Sequence, residues 1–184
     1  FFYASSSSVY GDQKIFPVSE NSKTKPKNVY ALSKKFNEEM AIYYSKIKKS
    51  NFIGLRFFSI FGNSNRPDML ISKLYYSSKK NIKVPLFNNG NHFRDFTFID
   101  DVCKILENLM KIKIKNQHEV INICSNKPQK VAKIVKLFNK ANLFPKIIKK
   151  PKHFADSYKT HGSNLKLKKL LKNKLSFNEF KKAL

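Results

Sequence analysis

The chain has 184 residues, 41% hydrophobic and 14% aromatic, enough to bury the core of one domain or one and a half. No run approaches the ~18 to 20 apolar residues of a membrane span, and the start lacks the charged segment and apolar stretch of a secretory leader, so a cytoplasmic location is expected. The net charge of +25 would favour contact with polyanions in general. However, 34 of the 37 basic residues are lysine, and from Lys127 to Leu184 17 lysines, against Asp156 and Glu179, are spread along helical segments rather than gathered in a motif. No helix-turn-helix, zinc or RNA-binding signature accompanies them, so the charge reads as a solvated face without specific nucleic-acid binding. A basic polyanion-binding module on a degenerate enzyme fold is the alternative from another class.

In chain order, Phe1 to Ala4 reads as a buried strand with no lead-in, which suits a fragment or processed product better than a natural start. It runs into a serine turn at Ser5 to Ser8, then Val9-Tyr10-Gly11 and a polar loop holding Pro17 and Pro26. From Val29, the apolar residues Leu32, Phe36, Met40, Tyr43, Tyr44 and Ile47 recur at intervals of three and four, which predicts an amphipathic helix with Tyr30 and Lys34 on one face. Phe52 to Phe58 suits a buried parallel strand, broken by Gly62 and Asn63-Ser64-Asn65.

Met69 to Lys79 is predicted helical, and Lys83 to Phe87 a short strand before a turn at Asn88-Asn89-Gly90. Phe93 to Ile99 is predicted extended, and Asp100 or Asp101 should cap a helix striped by Val102, Ile105, Leu106, Leu109 and Met110. Val120 to Cys124 is a further strand, Pro128 stands near the start of a helix carrying Val131, Ile134, Val135 and Phe138, and the tail from Asn164 should hold one or two short helices. Strand and helix alternate throughout, so the predicted class is α/β. Cys103 and Cys124 show no metal-ligand spacing and are expected reduced and buried.

Tyr30 and Lys34 form a YxxxK pair one helical turn apart. A tyrosine hydroxyl titrates near 10, and making it a base at neutral pH takes roughly 4 kcal/mol of preferential phenolate stabilisation. A lysine ammonium one turn away supplies part of that, and the Ser6 hydroxyl could bond the same oxygen. Alone, the pair is weak and reads better as an aromatic and a lysine on a half-exposed helix. Its setting carries the case.

Ser5 to Gly11, Tyr30 to Lys34, Leu55-Arg56-Phe57-Phe58 ending at Gly62, Arg66-Pro67-Asp68-Met69, and Asn89-Gly90 with Arg94-Asp95-Phe96-Thr97-Phe98-Ile99-Asp100-Asp101 stand in a fixed order and spacing. Together they resemble the extended short-chain dehydrogenase/reductase (NAD-dependent epimerase/dehydratase) family, and within it the UDP-glucuronate 4-epimerases. The likeness is strongest from Phe1 to Val102 and weaker after Asn126.

The resemblance implies the C-terminal part of a Rossmann-type parallel sheet joined to a smaller α/β substrate-binding domain. Residues 1–62 would close the NAD-binding domain and 63–184 would mainly form the substrate domain, with about 95–114 packing back on the first. By the same likeness Ser6, Tyr30 and Lys34 match the catalytic triad. Tyr30 and Lys34 would also meet the nicotinamide ribose, where the positive nicotinamide ring favours the phenolate, and Phe57 and Phe58 would line the NAD site. Ser7, Ser59, Arg66 and Arg94 would bind a UDP-sugar, with Arg66 on a uronate carboxylate and Arg94 on the diphosphate.

The implied activity is oxidation of the sugar at C4, rotation of the 4-keto sugar and re-reduction on its other face, with NAD recycled, in the supply of polysaccharide precursors. A uronate oxidised at C4 is a β-keto acid prone to lose carbon dioxide, and a planar guanidinium on both carboxylate oxygens would hold it out of alignment for cleavage. UDP-hexose 4-epimerases and nucleotide-sugar 4,6-dehydratases of the same family are the near alternatives, and a homodimer is an assembly the likeness admits. The glycine-rich NAD loop of the family does not occur among these residues, so the chain is expected to be inactive alone. The likeness also departs at Ala155-Asp156, at Gly162-Ser163, and at Cys124, where a glycine is usual.

Overall fold

The computed structural model describes residues 1–152, 157–172 and 175–180, so Ala155 and Asp156 lie outside the described residues. Strand β1 (Phe2–Ser6) passes through a 3-10 turn (Ser7–Tyr10) and a long loop into helix α1 (Val29–Ile47). Then follow β2 (Phe52–Phe57), β3 (Ser59–Phe61), α2 (Leu70–Lys80), β4 (Val84–Phe87), β5 (Phe93–Phe98), α3 (Ile99–Met110), β6 (His118–Ile123), β7 (Pro128–Lys130), α4 (Val131–Lys140), β8 (Ile147–Lys150) and α5 (Leu165–Leu170). The mixed α/β class agrees with the sequence reading.

Three strands form a parallel sheet in the order β1-β2-β6, with Ser6 opposite Phe57 and Phe57 opposite Ile123. A second sheet has the order β3-β5-β7, in which β3 is parallel and β7 antiparallel to β5, and β4 pairs with β8 in parallel. Ile53, Leu55, Ile121 and Ile123 bury one apolar cluster of the first sheet against Ile105 and Leu109 of α3 and Leu167 of α5. Phe61, Leu74, Phe96, Ile134 and Phe138 form a second cluster, and Val9, Tyr10, Val18, Phe58 and Cys124 a third. Among the described residues no helix is long and apolar enough to cross a membrane.

Several expectations are corrected. The apolar stripe of α1 is solvent-facing: Leu32, Phe36, Met40, Tyr43, Tyr44 and Ile47 are all exposed, while Ala31, Glu38, Ala41 and Ser45 form the buried face. Small side chains let α1 approach β1 and β2 closely. Neither Asp100 nor Asp101 caps α3, because Phe98 stands at the N-cap, and Asp101 instead accepts hydrogen bonds from the backbone and side chain of Asn178. Cys103 is exposed although Cys124 is buried, whereas Pro128 does stand near a helix start, opening β7 directly ahead of α4. Strands β3 and β8 were not foreseen.

Gly11 closes the serine turn with φ +61°, and a Cβ there would lie 2.0 Å from the Lys25 carbonyl oxygen. Gly162 meets the departure at Cys124: a side chain at 162 would come within 2.6 Å of the Cys124 sulfur, so the bare glycine makes room for the thiol. Leu109 is fully buried between α3 and the first sheet. Leu109→Ala should lower unfolding free energy by about 2–5 kcal/mol in urea melts followed by circular dichroism.

Candidate active site

The serine turn and the start of α1 are built by local capping. Ser6 ends β1 in extended backbone and its side chain accepts from the Ser8 N–H at 3.1 Å, opening the 3-10 turn that holds half-buried Ser7. Asn28 caps α1 by accepting from the Ala31 N–H at 2.8 Å, which places Tyr30 and Lys34 in its first two turns. Tyr30 is 52% exposed. The Lys34 ammonium lies 5.8 Å from the Tyr30 ring centroid and donates to the Ala4 carbonyl at 3.1 Å, two residues before Ser6. Among the described residues the Tyr30 hydroxyl makes no hydrogen bond to Ser6 or Lys34.

Behind this edge lies a buried polar network. Arg56, next to last in β2, grips Glu38 of α1 with two 2.8 Å bonds, from Nε to Oε1 and from Nη2 to Oε2. Ser5 Oγ donates to Glu38 Oε1 at 2.6 Å, and Arg56 Nη1 donates to the Tyr10 hydroxyl at 2.9 Å. Tyr10 in turn donates to Asn122 Oδ1 of β6 at 2.7 Å. Burial alone would push the Glu38 carboxyl up, but the bonds and charge of Arg56, with Ser5, hold it below the usual carboxylate range. Burial also pushes the Tyr10 phenol up to about 12, against the pull of Arg56. Sequence reasoning missed Glu38, since a glutamate followed by a second one reads as a solvated face.

Of the predicted substrate residues, Ser7 stays in the serine turn, while Ser59, Arg66 and Arg94 fall in a separate place. A cleft of about 270 Å³ is lined by Ser59, Asp68, Met69, His92, Arg94 and Phe96, among others. Arg94 Nη1 donates to the carbonyls of Phe93 and Ser157, each at 2.8 Å, which fixes the guanidinium along the cleft wall. Arg66 is exposed at the rim and forks onto Asp68 with bonds of 3.0 and 2.6 Å. The hydrogen bond and charge of Asp68 hold Arg66 above its ordinary value. Ser6, Ser7, Tyr30, Lys34, Phe57 and Phe58 do not line the cleft. Phe57 is half-buried on the first sheet, and Phe58 is buried 6.4 Å from the Tyr10 ring. The two groups are joined by a short path, since Phe57 pairs with Ser6, Ser59 pairs with Phe96, and Arg94 stands two residues earlier on β5.

The family model described as the NAD dependent epimerase/dehydratase family matches residues 1–124. The chain belongs to this family. An uncharacterized protein of Methanocaldococcus jannaschii is 39% identical over 176 residues, covering 92% of this chain and 52% of that protein. UDP-glucuronate 4-epimerase 4 of Arabidopsis thaliana is 42% identical over 106 residues, 55% of this chain and 24% of that one. The solved UDP-glucuronic acid 4-epimerase from Bacillus cereus, in complex with UDP-glucuronic acid and NAD, superposes with a TM-score of 0.91 at 25% identity over 100% of this chain and 58% of that chain. The chain thus spans about half the length of the first of these relatives.

Asp95 ties the cleft strand to its surroundings. Fully buried, it accepts from Ser125 Oγ at 2.8 Å and from the Gly162 N–H at 3.0 Å. Burial raises its carboxyl to about 6, with these hydrogen bonds pulling the other way. At this group the folded protein therefore binds more protons than the unfolded chain between about pH 4 and pH 6, and the stability that Asp95 contributes on the acid side is lost as pH rises through that window. Urea melts taken from pH 4 to 7.5 should show Asp95→Asn gaining roughly 1–3 kcal/mol relative to the parent protein as pH rises.

Proposed function

We propose that this chain is the catalytic and substrate-binding part of an NAD-dependent nucleotide-sugar 4-epimerase acting on UDP-glucuronate. The observation that carries the reading is a YxxxK pair at the start of α1, tied to β1 through Lys34, together with an arginine-bearing cleft one strand away, in a chain 42% identical to a UDP-glucuronate 4-epimerase over its matched part. Residues 1–62 would close the cofactor-binding domain and 63–184 would chiefly form the substrate domain. The exposed apolar face of α1 suits a homodimer contact.

Tyr30 takes the proton of the sugar C4 hydroxyl and later returns it. Ser6 offers a hydroxyl to the same oxygen. Among the described residues the Lys34 ammonium makes one hydrogen bond, to Ala4, which leaves two of its three donors for a ribose and for stabilising the phenolate. The chain's residues fit one end of NAD only: Tyr30 and Lys34 would hold the nicotinamide ribose and half-buried Phe57 would line the site, with Phe58 packed behind it in the core, whereas the five glycines, at 11, 54, 62, 90 and 162, form no phosphate-cradling loop. When bound, NAD supplies the hydride acceptor for C4. At the other end of the sugar, Arg66 would exchange Asp68 for the uronate carboxylate, keeping its planar two-bond geometry, with Ser59 beside it and Arg94 on the diphosphate.

The test is a chain completed at its N-terminus with the corresponding residues of the Bacillus cereus relative. It should interconvert UDP-glucuronate and UDP-galacturonate with NAD, and Tyr30→Phe should lower kcat about 10²-fold or more. A folded product that turned over neither sugar, or that lost nothing with Tyr30→Phe, would sink the assignment. In the same enzyme Arg66→Ala should raise KM for UDP-glucuronate roughly 10-fold or more while leaving UDP-glucose binding unchanged, since a charge-assisted bond is worth about 1.5–3 kcal/mol. Equal loss for both sugars would instead favour a hexose epimerase or a dehydratase.

A further inference from the structure

We propose that Glu38 and Arg56 are positioning residues that set the Tyr30–Lys34 pair against Ser6; the inference rests on the reading of that pair as the proton-transfer groups. Tyr30, Lys34 and Glu38 follow one another at four-residue intervals and so share one face of α1. Two of the three reach β1 just before Ser6: Lys34 donates to the Ala4 carbonyl at 3.1 Å, and Glu38 accepts from Ser5 Oγ at 2.6 Å. The helix is thereby fastened to the strand at two successive residues, beside the hydroxyl it has to face.

Arg56 fixes the other side of the same turn. Its Nε and Nη2 hold Glu38, while Nη1 bonds the Tyr10 hydroxyl at 2.9 Å and the Glu20 carbonyl at 3.1 Å. Its guanidinium carbon also lies 4.7 Å from the Tyr10 ring centroid. Ser6, Ser7 and Ser8 therefore lie between two anchors, Ser5 on Glu38 and Tyr10 on Arg56, which are themselves paired. Glu38 is 1% and Arg56 4% exposed, so neither charge can be handed to water. Any roll or slide of α1 that shifted Tyr30 relative to Ser6 would strand a buried ion, which makes the arrangement stiff in the direction proton transfer needs.

A purely structural pair would not act on Tyr30 once the protein is folded, so the test reads Tyr30 itself and catalysis separately. Glu38→Gln keeps the shape and breaks the fork. Ser5→Ala removes only the tie between strand and helix, a milder change should Glu38→Gln fail to fold. In the 184-residue chain labelled with [13Cζ]tyrosine, the Tyr30 resonance, assigned through Tyr30→Phe, should shift in each folded variant. In the N-terminally completed enzyme kcat should fall at least tenfold in Glu38→Gln, and less in Ser5→Ala, with KM for UDP-glucuronate within about threefold of the parent. Folded variants whose Tyr30 resonance stays in place and whose kcat equals the parent's overturn the proposal, as does a Tyr10 shift with Tyr30 unmoved. If the completed parent turns over no sugar, the proposed function fails, while the tyrosine resonances still decide the positioning role.

Discussion

Two opposite charges buried together constrain the whole first sheet. Taking a carboxylate and a guanidinium out of water costs several kcal/mol per ion unless each donor and lone pair is met, so Arg56 and Glu38 are stable only if the elements around them arrive together. The guanidinium belongs to β2, the carboxylate to α1, the hydroxyls to β1 and its turn. Tyr10 passes the requirement on to Asn122, whose amide donates to the carbonyls of Val18 and Ser163 and whose backbone N–H donates to Glu20. One desolvated pair thus reaches the third strand of the sheet and two segments 145 residues apart, Val18 and Ser163, that also bond directly through the Ser163 N–H.

The cleft is organised by the same logic around a single carboxylate. Asp95 gathers Ser125 and the Gly162 N–H, its own N–H donates to the Thr160 hydroxyl at 3.2 Å, and Thr97 on the same strand accepts from the Ser125 N–H at 3.0 Å. These bonds hold the stretch that follows β6 and the stretch around Thr160 against β5, the strand that carries Arg94. A protonatable hub is a looser fastening than an ion pair. By this measure β5 is fastened less firmly than the edge of the first sheet that Glu38 and Arg56 hold.

The sequence was informative wherever the signal was local. Tyr30 and Lys34, the serine turn, Gly62 and the stripe of α3 all could be read from spacing, because capping and periodicity act within a few residues. Periodicity, however, says which residues share a face and not which face is covered. The larger apolar stripe of α1 was the natural choice for the core, yet the helix turns Ala31, Glu38, Ala41 and Ser45 inward, where small side chains and the Arg56 partner fit. Asp101 looked like a cap because it precedes an apolar stripe, but its partner Asn178 lies 77 positions away. Strand β8, with Lys149 and Lys150, looks too polar to pair, and only its partner β4 makes it a strand. Long-range partners are what a single chain of letters does not display.

Arginine is rare in this protein, and its three copies are placed very differently. Arg56 is sealed inside the sheet, Arg94 lines the cleft wall, and Arg66 stands in solvent at the rim. Guanidinium-selective dicarbonyl reagents, which ignore the thirty-four lysines, accordingly meet a graded set of targets. Arg66 is open to them, Arg94 is sheltered by the carbonyls it holds, and Arg56 becomes reactive only when the sheet opens. The same scarcity that singles out these positions gives the molecule a built-in chemical footprint of its rim, its cleft and its core.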